Sequence, residues 1–137
     1  MKKYNKLFII IPILLIVIIC VSFIIIHSNN NKFRYKIYDS SDFDYKIMDK
    51  GYYYEELGGD IYHYVITSGE KTTGGYSIEI DSVTKNEDNI KVVVHETSST
   101  GIATTAFTYP YVILELYEKP ANIKIVDDYG NSFRKLN

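Results

Sequence analysis

The chain has 137 residues, 46% of them hydrophobic and 15% aromatic, with 15 Lys+Arg against 17 Asp+Glu. Its mean hydropathy is only -0.10, so the apolar residues are unevenly spread, and Leu7 to Ile26 forms one long apolar run interrupted only by Pro12 and Ser22. The remainder is long enough for one domain and too short for two, which excludes a multidomain enzyme and a polytopic transporter, while its dense aromatics exclude a merely disordered tail.

A helix over that run would rise about 30 Å, the hydrocarbon thickness of a bilayer. Lys2, Lys3 and Lys6 precede it with no acidic residue among them, which favours a cytoplasmic N-terminus. The sequence therefore predicts a basic cytoplasmic tail over 1–6, a transmembrane anchor over 7–26, a polar linker over 27–36 and an extracytoplasmic domain over 37–137, in a single-pass protein of the cell membrane. Removing the three leading lysines leaves 12 basic against 17 acidic residues. Without a basic cluster such a domain is a poor ligand for nucleic acid. Cys20 is the single cysteine, so no intrachain disulfide forms and the domain rests on its core. An orphan envelope lipoprotein is the alternative, but Ile19 stands where a lipoprotein signal wants a small residue before the cysteine.

From Ser40 to Lys50 the signals are helical: Ser40 or Ser41 as a cap, Asp42 and Asp44 in the first turn, Lys50 in the last and Gly51 beyond. Phe43, Tyr45 and Ile47 also alternate as in a strand. Gly51 to Asp60 reads as a tyrosine-bearing turn region. Beyond it the period becomes two. Strands are predicted over Ile61–Thr67 and from Tyr76 through Ile78 and Ile80; a turn at Asn86–Asn89 and a return strand through Ile90, Val92 and Val94 follow. Further strands are expected over Thr104–Thr108, Tyr111–Tyr117 and Asn122–Val126, the last before a turn at Asp127–Asn131. The fold class is mainly β: a small antiparallel sandwich or partly open barrel with one short helix. Tyr76, Ile78, Ile80, Val92, Val94, Val112 and Leu114 are expected to share one core.

Catalytic constellations are sparse. His63 and His95 each sit singly in a predicted strand without Cys or His at ligand spacing. No G-x-S-x-G elbow exists, and the carboxylate pairs Glu55/Glu56 and Asp127/Asp128 are sequence neighbours that splay apart. Gly74-Gly75 precedes a strand and lacks the spacing of a phosphate loop. No enzyme, metal or cofactor is predicted.

Gly69 to Ile80, GEKTTGGYSIEI, and Thr108 to Leu116, TYPYVILEL, together resemble the PrcB C-terminal domain family, with the likeness covering 60–126. The chain departs from the family near Thr72 and at Thr97, Ser98 and Ser99, where prolines are usual, and both loops should be looser for it. The resemblance implies a non-catalytic accessory subunit of a secreted or surface protease complex, with no active-site residues. Thr72 to Tyr76 and the Thr108–Tyr111 turn also resemble the inhibitory loops of chagasin-type cysteine-protease inhibitors. Thr73, Gly74, Gly75, Tyr76, Tyr109, Pro110 and Tyr111 are the candidate partner-binding residues; under the chagasin-type resemblance Gly74 and Gly75 permit close approach to a protease cleft while Tyr76, Tyr109 and Tyr111 offer rigid contact area. The expected partners are the membrane through 7–26 and a protein, with a protease the implied class.

Overall fold

The computed structural model describes residues 7–30, 33–39, 43–98 and 105–137. The chain divides into two compact units, one ending at Phe33 and one spanning Arg34–Asn137. The first holds α1, Leu7–Asn30, in which the Ser22 hydroxyl donates to the Ile18 carbonyl. Side chains of α1 are described over 11–22, where they are exposed. That stretch rises about 18 Å, and no helix among the described residues is long and apolar enough to cross a membrane. The anchor expected over 7–26 is thus not supported by the fold, and the basic tail over 1–6 lies outside the described residues.

The second unit is built from β1 (Tyr35–Tyr38), β2 (Gly51–Gly58), β3 (Ile61–Thr67), β4 (Tyr76–Asn86), β5 (Asn89–Ser98), β6 (Tyr111–Leu116) and β7 (Asn122–Asp127). They form a four-stranded sheet of order β1-β6-β3-β2 and a three-stranded sheet of order β4-β5-β7. Neither closes into a barrel. Every residue of β6 and all but the first of β3 are buried, because both faces of the larger sheet are covered. β4 of the smaller sheet packs against β6. On another part of the sheet Val65, Tyr111 and Ile113 form an apolar cluster beneath Tyr38, Tyr45, Ile47 and Tyr53.

The tight turns are as the sequence suggests. Gly59 and Asp60, both at positive φ, close the β2–β3 hairpin, the geometry that matches strand twist. Glu87 and Asp88 close β4 onto β5. Asp127 caps its own turn by accepting from the Tyr129 and Asn131 N–H groups. One pairing departs from the antiparallel expectation: β7 lies parallel to β5, because the chain visits the other sheet as β6 before returning.

Several expectations are corrected. No helix forms over the described part of Ser40–Lys50; residues 43–48 carry no regular secondary structure, with Tyr45 and Ile47 packed against the sheet and Asp44, Lys46 and Met48 exposed. The strand-like alternation prevails because it serves two tyrosine-rich strands that need covering. The proposed caps Ser40, Ser41 and Asp42 lie outside the described residues. The tyrosine turn region is strand β2, and the linker expected to 36 ends sooner, at the start of β1. Residues 105–107 carry no strand and Thr108 makes only an isolated bridge to Lys71; Thr104 lies outside the described residues. In the expected core, Ile78, Val92, Val94, Val112 and Leu114 are buried, whereas Tyr76 is 40% exposed and Ile80 half-buried. A bulge between Ile80 and Ser82 shifts the β4 register, so that Val83 takes the position opposite Val92, as an inserted residue must make it do.

Candidate functional site

The two loops singled out in the sequence meet at one end of the domain. Ser68, leaving β3, donates its N–H to the Pro110 carbonyl at 3.0 Å. The Thr67 hydroxyl donates to the same carbonyl at 3.2 Å and accepts the Gly69 N–H at 3.0 Å. Farther out, Lys71 and Thr108 exchange backbone hydrogen bonds of 2.8 and 2.9 Å, and the Thr108 hydroxyl donates to the Thr73 carbonyl at 3.0 Å. The Tyr109 hydroxyl donates to Glu70 at 2.7 Å, and this bond to a carboxylate raises the phenol's pKa. Together these bonds hold residues 67–73 and 108–110 as a single rim.

Gly69 lets that rim close on its support. Its φ is +76°, and a Cβ there would stand 2.7 Å from the Met48 carbonyl oxygen and 2.8 Å from the Lys50 nitrogen. Only glycine fits so near another backbone in that conformation. The Glu70 N–H then donates to the Met48 carbonyl at 2.9 Å, linking the rim to the 43–48 segment.

The candidate residues separate into two groups. Gly75, at φ +86°, and Tyr76 are exposed, Thr73, Gly74 and Tyr109 are half-buried, and Pro110 and Tyr111 are buried. The last two therefore shape the rim from beneath, and Tyr111 spends its hydroxyl on the Phe43 carbonyl. Sequence reasoning missed Phe107, which is 63% exposed beside the rim, and Lys71, whose ammonium lies 5.4 Å from the Tyr76 ring centroid. Phe107 was hidden by its assignment to a strand.

A second polar feature was also missed. Register pairs Lys36 with Glu115, Glu115 with His63 and His63 with Glu55, a row of alternating potential charge across all four strands of the larger sheet. His63 and Glu115 are buried, with Nε2 2.7 Å from Oε2. Tyr38 and Tyr117 donate their hydroxyls to the same carboxylate at 3.2 and 2.5 Å. Burial pushes the Glu115 pKa up, but the donors Tyr117, His63 and Tyr38 outweigh it and hold the carboxyl below its ordinary range. The signal was legible as one charged residue inside each of two apolar strands. Phe43 and Tyr38 rings flank His63 at about 6 Å, so the His63–Glu115 pair is covered and its carboxylate met by three donors, while Lys36 at one end of the row is exposed and Glu55 at the other half-buried. Among the described residues no cluster of His, Cys, Asp and Glu is arranged to hold a metal ion.

Residues 63–116 match the family model described as PrcB C-terminal. The resemblance read from the sequence is borne out over that stretch. No curated protein and no solved structure matches the chain. The PrcB C-terminal match runs from β3 to the end of β6, so it contains both rim loops, the β4–β5 hairpin and both members of the His63–Glu115 pair, while β1, β2 and β7 fall outside it. It is narrower than the 60–126 expected from the motifs.

Proposed function

We propose that this chain is a membrane-anchored, non-catalytic protein-binding module that serves a cell-surface or secreted protease complex as an accessory subunit. The observation that carries this reading is the hydrogen-bonded rim of residues 67–73 and 108–110, which holds two loops of the PrcB C-terminal match together and leaves Tyr76 and Phe107 exposed beside it. Exposed aromatic rings on a fixed support are what protein interfaces use as anchors. The His63–Glu115 pair at the centre of the titratable row is buried and hydrogen-bonded internally, which favours binding over chemistry. Anchoring rests on the apolar run Leu7–Ile26 and the lysines before it.

A chagasin-like inhibitor is the second reading, favoured by the hydrogen bond from the Thr108 hydroxyl to the Thr73 carbonyl, two residues before Gly75 at positive φ. In that case the rim would enter a cysteine-protease cleft. One experiment serves both. The full chain, extracted in detergent from its own membranes, is used to capture partners, which are identified and assayed for proteolysis. The accessory reading expects an active protease in the wild-type capture and at least a tenfold loss with Tyr76→Ser/Phe107→Ser, at an unchanged melting temperature. A captured cysteine protease that is silent until released supports inhibition instead, and retention by the folded double variant removes this end from consideration. Chain that washes from the membrane in alkaline carbonate would overturn the anchor.

A further inference from the structure

Each of the two sheets ends in two edge strands, β1 and β2 in the larger and β4 and β7 in the smaller. Three of these edges are covered or short. Beside β2 the Arg134–Leu136 stretch lies parallel, and Tyr52 donates its N–H to the Arg134 carbonyl at 2.9 Å and accepts from the Leu136 N–H at 2.7 Å. Along β7, Ser132 bridges Val126 and the Phe133 N–H donates to the Ile125 carbonyl at 2.9 Å. β1 has four residues. β4 runs for 11 residues with β5 as its strand neighbour, and among the described residues no loop or further strand bonds to its other side. Folds ordinarily blunt such an edge with a bulge, a lysine or a proline. Here the bulge between Ile80 and Ser82 and the Lys85–Glu118 pair both stand on the far half, and Tyr76–Ile80, the half that begins at the rim, carries none of the three devices. The two-residue turn at Glu87–Asp88 makes Asn86 and Asn89 a hydrogen-bonded pair. Alternation from that pair, carried back through the bulge, turns the N–H and C=O groups of Tyr76, Ile78 and Ile80 away from β5.

We propose that Tyr76–Ile80 receives an extended segment of the protein partner as a fourth strand of the smaller sheet. In such an addition the backbone hydrogen bonds supply affinity and alternate side chains supply the choice of sequence. Ile78 is 6% exposed and Ile80 half-buried, so the segment's residues beside them are apolar. Those beside exposed Ser77 and Glu79 are hydroxyl-bearing or cationic, because opposite charges on neighbouring strands attract and like charges repel. His95, opposite Glu79 on β5, is taken by Asp128. The charges of Tyr76–Asp81 are Glu79 and Asp81, both acidic, so a second copy of this chain would bring carboxylates together where a segment carrying lysine or arginine complements them. The added strand ends beside Tyr76, and it makes one continuous surface with the rim. The proposal rests on the reading that this end docks a protein, and it specifies the form in which the partner arrives.

The test uses the full chain in nanodiscs with the blocked peptide acetyl-Thr-Val-Lys-Val-Thr-amide as probe, and follows backbone amide resonances and their hydrogen exchange. Saturable shifts and slowed exchange are expected at Tyr76, Ile78 and Ile80. The same peptide N-methylated at every amide keeps its side chains and charge but cannot donate, and it should bind about tenfold more weakly or not at all. Glu79→Lys, a change at an exposed position that should leave the melting temperature as it is, should weaken the unmethylated peptide. Equal binding of the methylated peptide overturns the proposal, as does protection that falls on β1 or β2 and spares β4. Slowed exchange at Tyr76, Ile78 and Ile80 that grows with the chain's own concentration, without peptide, assigns the edge to a second copy and overturns it too. The two readings fail separately. Capture abolished by Tyr76→Ser/Phe107→Ser, with the amides of 76, 78 and 80 exchanging in the captured complex as fast as in the free chain, sinks strand addition and leaves the docking end intact. A peptide that pairs as expected while capture ignores Tyr76→Ser/Phe107→Ser removes the docking end.

Discussion

Glu115 shows how one residue can be hard to place from sequence and simple to explain from structure. It interrupts the run VILEL, where alternation would put an apolar side chain, yet it is 7% exposed and accepts from Tyr38, His63 and Tyr117. The partners come from three different strands or their ends, so no local pattern announces them. Because its carboxyl is held below the ordinary range when folded, the unfolded chain binds the extra proton first as pH falls. The stability it contributes is present above the unfolded pKa of about 4.3 and disappears as pH drops through the lower folded value. Urea unfolding at pH 7 should find Glu115→Gln weaker than wild type by about 1–3 kcal/mol, with the gap closing toward pH 3. A gap that does not change with pH would show that the charged form is not what the tyrosines stabilise. Gly69, by contrast, was quoted only as part of a motif. Its reason is a backbone contact with Met48 and Lys50, and nothing in the surrounding residues reveals a contact made across the fold.

At the level of elements, period two succeeded on β5, where buried Ile90, Val92 and Val94 alternate with exposed Lys91 and His95, although that strand runs four residues past Val94; β3, β6 and β7 fall within a residue of their expected bounds. It failed on β2, because Tyr52, Tyr53 and Tyr54 are amphipathic on both faces: Tyr54 stacks on Tyr64 at 5.6 Å while Tyr53 meets Tyr45 edge-on at 6.1 Å. Consecutive tyrosines carry no alternation to read. Capping signals failed at 43–50 for a tertiary reason, since Tyr45 is needed flat across the sheet, edge-on to Tyr111 at 5.3 Å and bonded to Glu55. Local propensity yields when an uncovered sheet face is the alternative. The bulge at Ile80 to Ser82 puts Val83 opposite Val92, a position strict alternation would not assign to it, while Tyr76 at the start of the strand is exposed rather than in the core. Leu114→Ala, in the fully buried centre of β6, should cost about 2–5 kcal/mol. Lys91→Ala, exposed on β5, should change the urea midpoint hardly at all. Comparable losses at both would mean that the faces have been assigned the wrong way round.

Across the whole molecule, the loops matter more than the strands that carry them. The candidate site was legible as two separated motifs, and their adjacency follows from β3 and β6 being antiparallel neighbours with Thr67 opposite Tyr111, which brings the loop after one strand beside the loop before the other. What the motifs did not show is which of their residues reach solvent. Pro110 and Tyr111 are conspicuous in the sequence and buried in the fold, whereas Phe107 and Lys71 were unremarked and stand at the surface or beside the Tyr76 ring. The lesson is physical: a turn's strongest residues are often those that fix it, and binding falls to their neighbours.

The central claim, that this rim is where a protein partner sits, is tested most directly by placing a photo-activatable phenylalanine analogue at single positions of the full chain and irradiating intact cells. At Phe107 and Tyr76 the account predicts one discrete cross-linked protein adduct of the same mass. At Leu57, 55% exposed near the end of β2, and Tyr129, 91% exposed in the turn after β7, it predicts none. Adducts of equal yield at Leu57 or Tyr129, with Phe107 and Tyr76 unreacted, would contradict it.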